Sequence, residues 1–332
     1  MVINNDWCKH IYILEQMKLV EISKKYRVAA CYLFLLSVLF VTTSCSDDDK
    51  IPAGKGATTV IMQQIADNTP YIQSVEKDSS YVFRDGIEII DTRFTYCTKP
   101  TRMIIAKIDL NKVTLATCTA YNEDKQTKLQ PIAGQAMEAE KTGKKVLVGI
   151  NGDYFGWSGV DYISQNVFYK DGIVINDHAA SGFNGIVSVR KNGAVRITSM
   201  PEFQQIKSDV TYAVGGWQRM VEKGKIGTFA ADQNSMEFHP RTFVGISKDN
   251  MTFYMFVLDG RQPEYSNGMR VSDMGLVCQG AGCYEAVNLD GGGSSTFVYR
   301  NEKDGELSFK ILNIPSDNPA RAVLNGLLVV EK

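Results

Sequence analysis

Three apolar runs in this chain each stop at a polar cluster containing an acid and glycine, and one of them stops at three glycines. Residues 286–289 run into Asp290-Gly291-Gly292-Gly293-Ser294, residues 253–258 into Asp259-Gly260-Arg261, and residues 145–150 into Asn151-Gly152-Asp153-Tyr154-Phe155. A short apolar run of this kind reads as a buried strand. A buried strand that delivers a polar side chain at its end holds that group rigidly. Three consecutive glycines cost more chain entropy than a simple turn requires, and their N–H groups suit an anion-binding nest. Ser294 adds a hydroxyl. A lone Asp-Gly is a turn signal, so Asp171-Gly172 and Asp304-Gly305 are read as turns. The segment from Asp290 lacks the alternating oxygen ligands of an EF-hand loop.

The remaining pattern predicts an α+β fold: mostly antiparallel strands in a mixed sheet, few helices, one main domain. Residues 103–109 and 113–117 read as strands joined by a turn, and residues 132–142 as a helix ended by Gly143. Hairpins are expected around Asp171-Gly172 and Asn192-Gly193. Strands are expected at 242–246, 252–258, 285–289, 296–300, 309–312 and 324–330, with a short helix at 269–278. Residues 81–83 and 87–90 are strand-like and belong to a small N-terminal extension at 59–98. The main domain is placed at 99–332.

The N-terminus reads as a leader. Lys24, Lys25 and Arg27 precede an apolar run at 28–41 that suits a signal-peptide core and is short for a bilayer span. The run ends in Thr42-Thr43-Ser44-Cys45, a loose lipobox that makes Cys45 the expected lipidation site. Residues 1–45 are thus assigned to the signal, with Met17 as the expected start and residues 1–16 as a mis-assigned extension. Residues 46–58, opening on Ser46-Asp47-Asp48-Asp49, read as an acidic tether. The expected location is the outer membrane, reached by export and a lipid anchor, with exposure at the cell surface. Cys97, Cys118, Cys278 and Cys283 remain in the mature chain, and the pairs 97/118 and 278/283 stay open between disulfides and free thiols. No Cys/His spacing suits a structural zinc.

The formal net charge is -1 over 332 residues, which disfavours a nucleic-acid partner. The expected state is a monomer. Arg241 precedes an apolar strand, and its guanidinium fork suits a phosphate; on its own it reads equally as a structural ion pair. His178 and His239 are the histidines of the mature chain and candidate acid–base groups. Gly-x-Ser-x-Gly, Walker and Gly-x-Gly-x-x-Gly patterns are missing from the sequence.

Taken in order, these segments resemble a known family. Gly149-Ile-Asn-Gly-Asp-Tyr-Phe155, Val214-Gly-Gly-Trp217, Pro240-Arg-Thr242, Asp259-Gly260, Asn288-Leu-Asp-Gly-Gly-Gly-Ser-Ser-Thr-Phe297 and Pro319-Ala-Arg-Ala-Val323 together are similar to the phosphodiester glycosidase domain. The resemblance covers roughly residues 101–330, and the run at 288–297 is its most specific part. Asp153 stands where the family usually has a small residue.

The resemblance implies a hydrolase that cleaves a sugar-1-phosphodiester, of the type in which N-acetylglucosamine is joined through phosphate to another sugar. The implied partner is a phosphorylated glycan. It also implies roles for the segment-end residues. Arg241 and the backbone of residues 291–294 hold the phosphate. Asp290 and Asp259 are the carboxylates, as nucleophile or water-activating base. Asn151, Gly152 and Asp153 meet the sugar, and Asp153 is a further catalytic or specificity group. No cofactor is expected, and a divalent cation shared by the three carboxylates is left open. The competing expectations are a non-catalytic glycan-binding lipoprotein on the same scaffold, and a phosphodiesterase cutting at phosphorus.

Overall fold

The structure, a computed structural model, describes residues 53–227 and 233–332. The expected leader, Cys45 and most of the acidic tether lie outside the described residues. The last part of that tether is ordered: Ala53–Gly56 forms a 3-10 turn, and Thr58 and Thr59 donate their N–H groups to the Asp78 carboxylate.

The strands assemble into three main sheets and one small hairpin, Phe155–Trp157 with Tyr162–Ser164. The largest sheet has eight strands. In spatial order they are Ile72–Arg84, Ile87–Tyr96, Lys99–Asp109, Thr252–Leu258, Arg241–Ile246, Glu285–Asn288, Arg219–Glu222 and Lys225–Ile226. A five-stranded sheet centres on Val146–Asn151 and Asn325–Glu331, and another on Gly185–Arg190 and Val210–Gly216. Every strand pair among the described residues is antiparallel, spread over several sheets where one mixed sheet was expected.

Period-two alternation explains why the central strands are apolar throughout. Phe253, Met255 and Val257 point into a core shared with the inner faces of both five-stranded sheets. Tyr254, Phe256 and Leu258, on the opposite face, pack under two helices, Val60–Asn68 and Val271–Gly280. A strand covered on both faces has no solvent side to mark with polar residues. Two smaller cores lie under the helices Ile132–Lys141 and Met200–Ile206.

Residues 59–98 are continuous with the main sheet. The strands Ile72–Arg84 and Ile87–Tyr96 widen it at one edge, in register onto Lys99–Asp109. The helix Val60–Asn68, capped by the Thr59 side chain, buries Met62, Ile65 and Ala66 beside Met274 and Val277. All four described cysteines are free thiols. Cys97 and Cys118, one of the pairs left open, lie in separate surroundings: the Cys97 sulfur accepts from Arg270, while Cys118 donates to Gln135 in a different core.

Ile65 is fully buried beneath the second helix. Ile65→Ala is therefore expected to cost about 2–5 kcal/mol of unfolding free energy. Chemical denaturation measures it, and a negligible loss would mean that the helix does not share the main core.

Candidate active site

One cleft gathers the ends of strands from all three main sheets. Its volume is about 480 Å³, and it is lined by Tyr154, Phe183, Trp217, His239, Arg241, Arg261, Asp290, Gly291, Gly292, Gly293 and Arg321. Tyr154 follows the strand Val146–Asn151, Trp217 follows Val210–Gly216, and Asp290 follows Glu285–Asn288. Antiparallel register brings the rest: Arg241 opens its strand opposite Leu258, so Arg261 lies just past the same edge, and Phe243 sits opposite Asn288.

Asp290 is the one carboxylate among the described lining residues. Burial pushes its carboxyl up to about 6, against the opposing effects of the Ser294 hydroxyl, the Gly291 N–H and the Arg321 charge. The Gly291 N–H donates to Oδ1 at 2.8 Å. The acid is held through its backbone. Its N–H donates to the Gly152 carbonyl at 3.0 Å, and its carbonyl accepts from the Asn151 amide at 2.7 Å.

Three arginines line the same cleft, and the charge of Arg321 acts on the acid. Arg241 is 4% exposed, and its guanidinium donates to the carbonyls of Met269 and Glu237, each at 3.0 Å. Burial and the neighbouring Arg261 charge both work against its proton. Arg321 pairs with Asp317 at 2.8 Å. Arg261 has no hydrogen-bond or ion-pair partner among the described residues, and its guanidinium lies over Gly292. An uncompensated guanidinium beside a second, buried one is a standing site for an anion. Aromatic rings line the cleft as well. Tyr154 meets Phe183 and Trp217 edge-on, with ring centroids 5.5 and 6.2 Å apart, and its hydroxyl accepts from Asn288.

His239 also lines the cleft. Its Nε2 lies 3.0 Å from the Glu237 carboxylate, and its Nδ1 is buried without a hydrogen-bond partner among the described residues. Burial and the charges of Arg241 and Arg261 lower its affinity for a proton, so the ring is neutral at neutral pH. The other candidate, His178, is not among the lining residues.

Of the N–H groups of the glycine run, that of Gly293 has no hydrogen-bond partner among the described residues, and the others are used within the protein. The Gly291 N–H is used by Asp290, the Gly292 N–H by the Pro240 carbonyl and the Ser294 N–H by the Gly291 carbonyl. The glycines also permit close approach. Gly292 takes positive φ beneath Arg261, and a Cβ on Gly293 would collide with Asp317 and Arg321. Ser294 is buried, and its hydroxyl accepts from Arg321 at 3.5 Å.

Four other expected site residues lie outside the cleft. Asn151 is 1% exposed and makes three side-chain hydrogen bonds: its Oδ1 accepts from Thr242 and Thr296, and its amide donates to the Asp290 carbonyl. It braces the acid from the interior and is not among the residues that line the cleft. Gly152 is packed against Asn325. Asp153 is buried, takes the Asn166 N–H at 2.7 Å, and is driven toward its neutral form by burial. Asp259 is buried and satisfied by Asn313, the Ile314 N–H and Arg102. The three carboxylates therefore do not converge on a shared cation. No group of three or more His, Cys, Asp or Glu among the described residues is placed to hold a metal. Sequence reasoning gave no role to Arg261 and Arg321, although both stood in marked segments, and it missed Phe183; all three sit in loops without periodic pattern.

Asp259→Ala is expected to act on stability, costing roughly 3 kcal/mol through the polar partners it strands in the interior. Urea unfolding checks this. Full stability with lost turnover would return Asp259 to the chemistry.

Known proteins carry the same signature. The family model for the phosphodiester glycosidase domain matches residues 144–330, more than half of the chain. The SPbeta prophage-derived uncharacterized protein YomE of Bacillus subtilis (strain 168) is 26% identical over 196 residues, covering 56% of this chain. The match spans only 28% of that protein's own length. The catalytic domain of zebrafish N-acetylglucosamine-1-phosphodiester alpha-N-acetylglucosaminidase, auto-inhibited by its pro-peptide, superposes with a TM-score of 0.55 at 20% identity. That superposition covers 77% of this chain and 88% of the zebrafish domain. A hypothetical protein from Synechocystis gives 0.54 at 11% identity, covering 78% and 65%. These structural likenesses establish a shared fold, and the family match extends to the residues that build the cleft: the chain belongs to the phosphodiester glycosidase family.

Proposed function

We propose that this protein hydrolyses the bond between a sugar and phosphate in a glycosyl phosphodiester, with an N-acetylglucosamine-1-phospho-sugar as the model substrate. One observation carries the reading: a single cleft brings a carboxylate, three arginines and aromatic rings together. The arginines fit the phosphate, and the faces of Tyr154, Phe183 and Trp217 fit the apolar side of a sugar ring. The phosphate leaves as an anion already well stabilised, so an acid on the leaving oxygen is less needed than for an ordinary glycoside. The sugar and linkage come from the name of the zebrafish relative. The basic, apolar and Cys45-terminated leader supports export and lipid anchoring, and with them a role in glycan metabolism at the cell envelope.

Incubation with N-acetylglucosamine-1-phospho-mannoside is expected to release free N-acetylglucosamine. Binding without release would identify a glycan-binding module. Asp290→Asn should lower kcat by at least about a thousandfold. The acid limb of kcat/KM should lie near pH 6, because the carboxylate must be ionised to act. The sign for stability is the reverse. A carboxyl raised above its unfolded value binds its proton more tightly in the folded state, so it destabilises the fold increasingly as pH rises through that window. At neutral pH Asp290→Asn should thus melt at or above the wild-type temperature. Retained turnover in that variant would remove Asp290 from the reaction.

A further inference from the structure

We infer that Cys278 and Cys283 form a modification site: their thiols close into a disulfide on exchange with a disulfide oxidant, and the bond staples the helix Val271–Gly280 to the strand Glu285–Asn288. The reaction is independent of the hydrolase reading, and the structure describes the pair in its reduced state.

The backbone brings the two residues together. The helix ends in a Schellman motif. Ala281 is its C-cap, Gly282 follows with φ +89°, and the Cys283 N–H donates to the Cys278 carbonyl at 2.9 Å. The Gly282 N–H donates to the Gln279 carbonyl at 3.0 Å. In this motif the side chain two residues past the cap packs on the one three residues before it. Here both of those side chains carry sulfur, and the Cys278 thiol is hydrogen-bonded to that of Cys283. The closed turn and the touching thiols supply the proximity a disulfide needs, with Cα atoms roughly 4.4–6.8 Å apart.

The surroundings favour the same reaction. Both cysteines belong to the core beneath the helix, and the Cys283 sulfur is seated against Gly245 of the neighbouring strand. No third His, Cys, Asp or Glu among the described residues joins them to hold a metal. Cys278 is fully enclosed, whereas Cys283 keeps 4% of its surface beside the exposed Gly282. An oxidant therefore meets Cys283 first. Burial and the bond to Cys283 hold the Cys278 thiol well above its usual range, so its thiolate is scarce once the core has closed. The exchange belongs to folding, while the turn is still wet.

The step balances with the oxidant named. The Cys283 thiolate attacks one sulfur of the oxidant, and the other sulfur leaves as a thiolate. The Cys278 thiolate then attacks the Cys283 sulfur of the mixed disulfide, and the second half of the oxidant leaves. The two cysteines are oxidised by two electrons, the oxidant is reduced to two thiols, and the two protons reach those thiols through solvent.

The wild-type full chain tests this after refolding in reduced and oxidised glutathione, alkylation under denaturing conditions and trypsin digestion. Residues 271–300 hold no Lys or Arg before Arg300, so one tryptic peptide carries both cysteines. That peptide is expected to take up no alkyl label and to weigh two hydrogens less than its reduced form. Label on both cysteines, or a link from either to another cysteine, overturns the inference. Protein treated with reductant should melt a few degrees below the oxidised protein. The difference should vanish in Cys278→Ala and in Cys283→Ala. Equal melting of the oxidised and reduced wild type contradicts the staple.

Discussion

The side chain of Asn151 is the tie on which the site depends. It reaches from the end of one buried strand to the Asp290 carbonyl, the Thr242 hydroxyl and the Thr296 N–H. Asp290 and Thr242 belong to the eight-stranded sheet and Thr296 adjoins the strand beside Asn151 itself, so a single amide ties two of the main sheets together. A buried amide held by three hydrogen bonds is rigid, and breaking them is costly. The position of Asp290 is therefore a consequence of core architecture, although the acid itself sits in a cleft open to solvent.

That arrangement separates two kinds of buried charge. Asp259 and Arg102 are far from solvent and compensate each other, as structural pairs do. At the cleft, compensation is deliberately incomplete. Arg261 lies over a glycine with no ion-pair partner among the described residues, and Asp290 has no cationic hydrogen-bond partner among them. Groups kept short of partners by a rigid frame are ready for a ligand to complete. The cost appears as a raised Asp290 carboxyl and a neutral His239.

Much of this was legible in the sequence, for a physical reason. A strand buried on both faces is written as an unbroken apolar run, so its polar end stands out, and Asp290, Arg241 and Asn151 were all marked that way. The direction of those side chains was not legible. Asn151, Asp153 and Asp259 look the same in sequence as Asp290, and only the register decides which of them faces the cleft and which the core. The glycines were marked as an anion nest, whereas their missing side chains make room for protein: Arg261, Asp317 and Arg321. Those arginines come from loops, where no periodicity points to a partner. Among the elements, the helix Met200–Ile206 was missed although its Ser199–Glu202 capping box is a readable start signal. The helix Val60–Asn68 was missed because its single apolar stripe is short.

The central claim is that phosphate and sugar share this one cleft in a fixed orientation. A crystal structure of Asp290→Asn with an uncleaved N-acetylglucosamine-1-phosphodiester bound tests it most directly. The account predicts phosphate oxygens on Arg241, Arg261 and Arg321, the sugar ring against Tyr154, Phe183 and Trp217, and the anomeric carbon facing residue 290. Phosphate bound away from those arginines, or a sugar outside the aromatic wall, would contradict it.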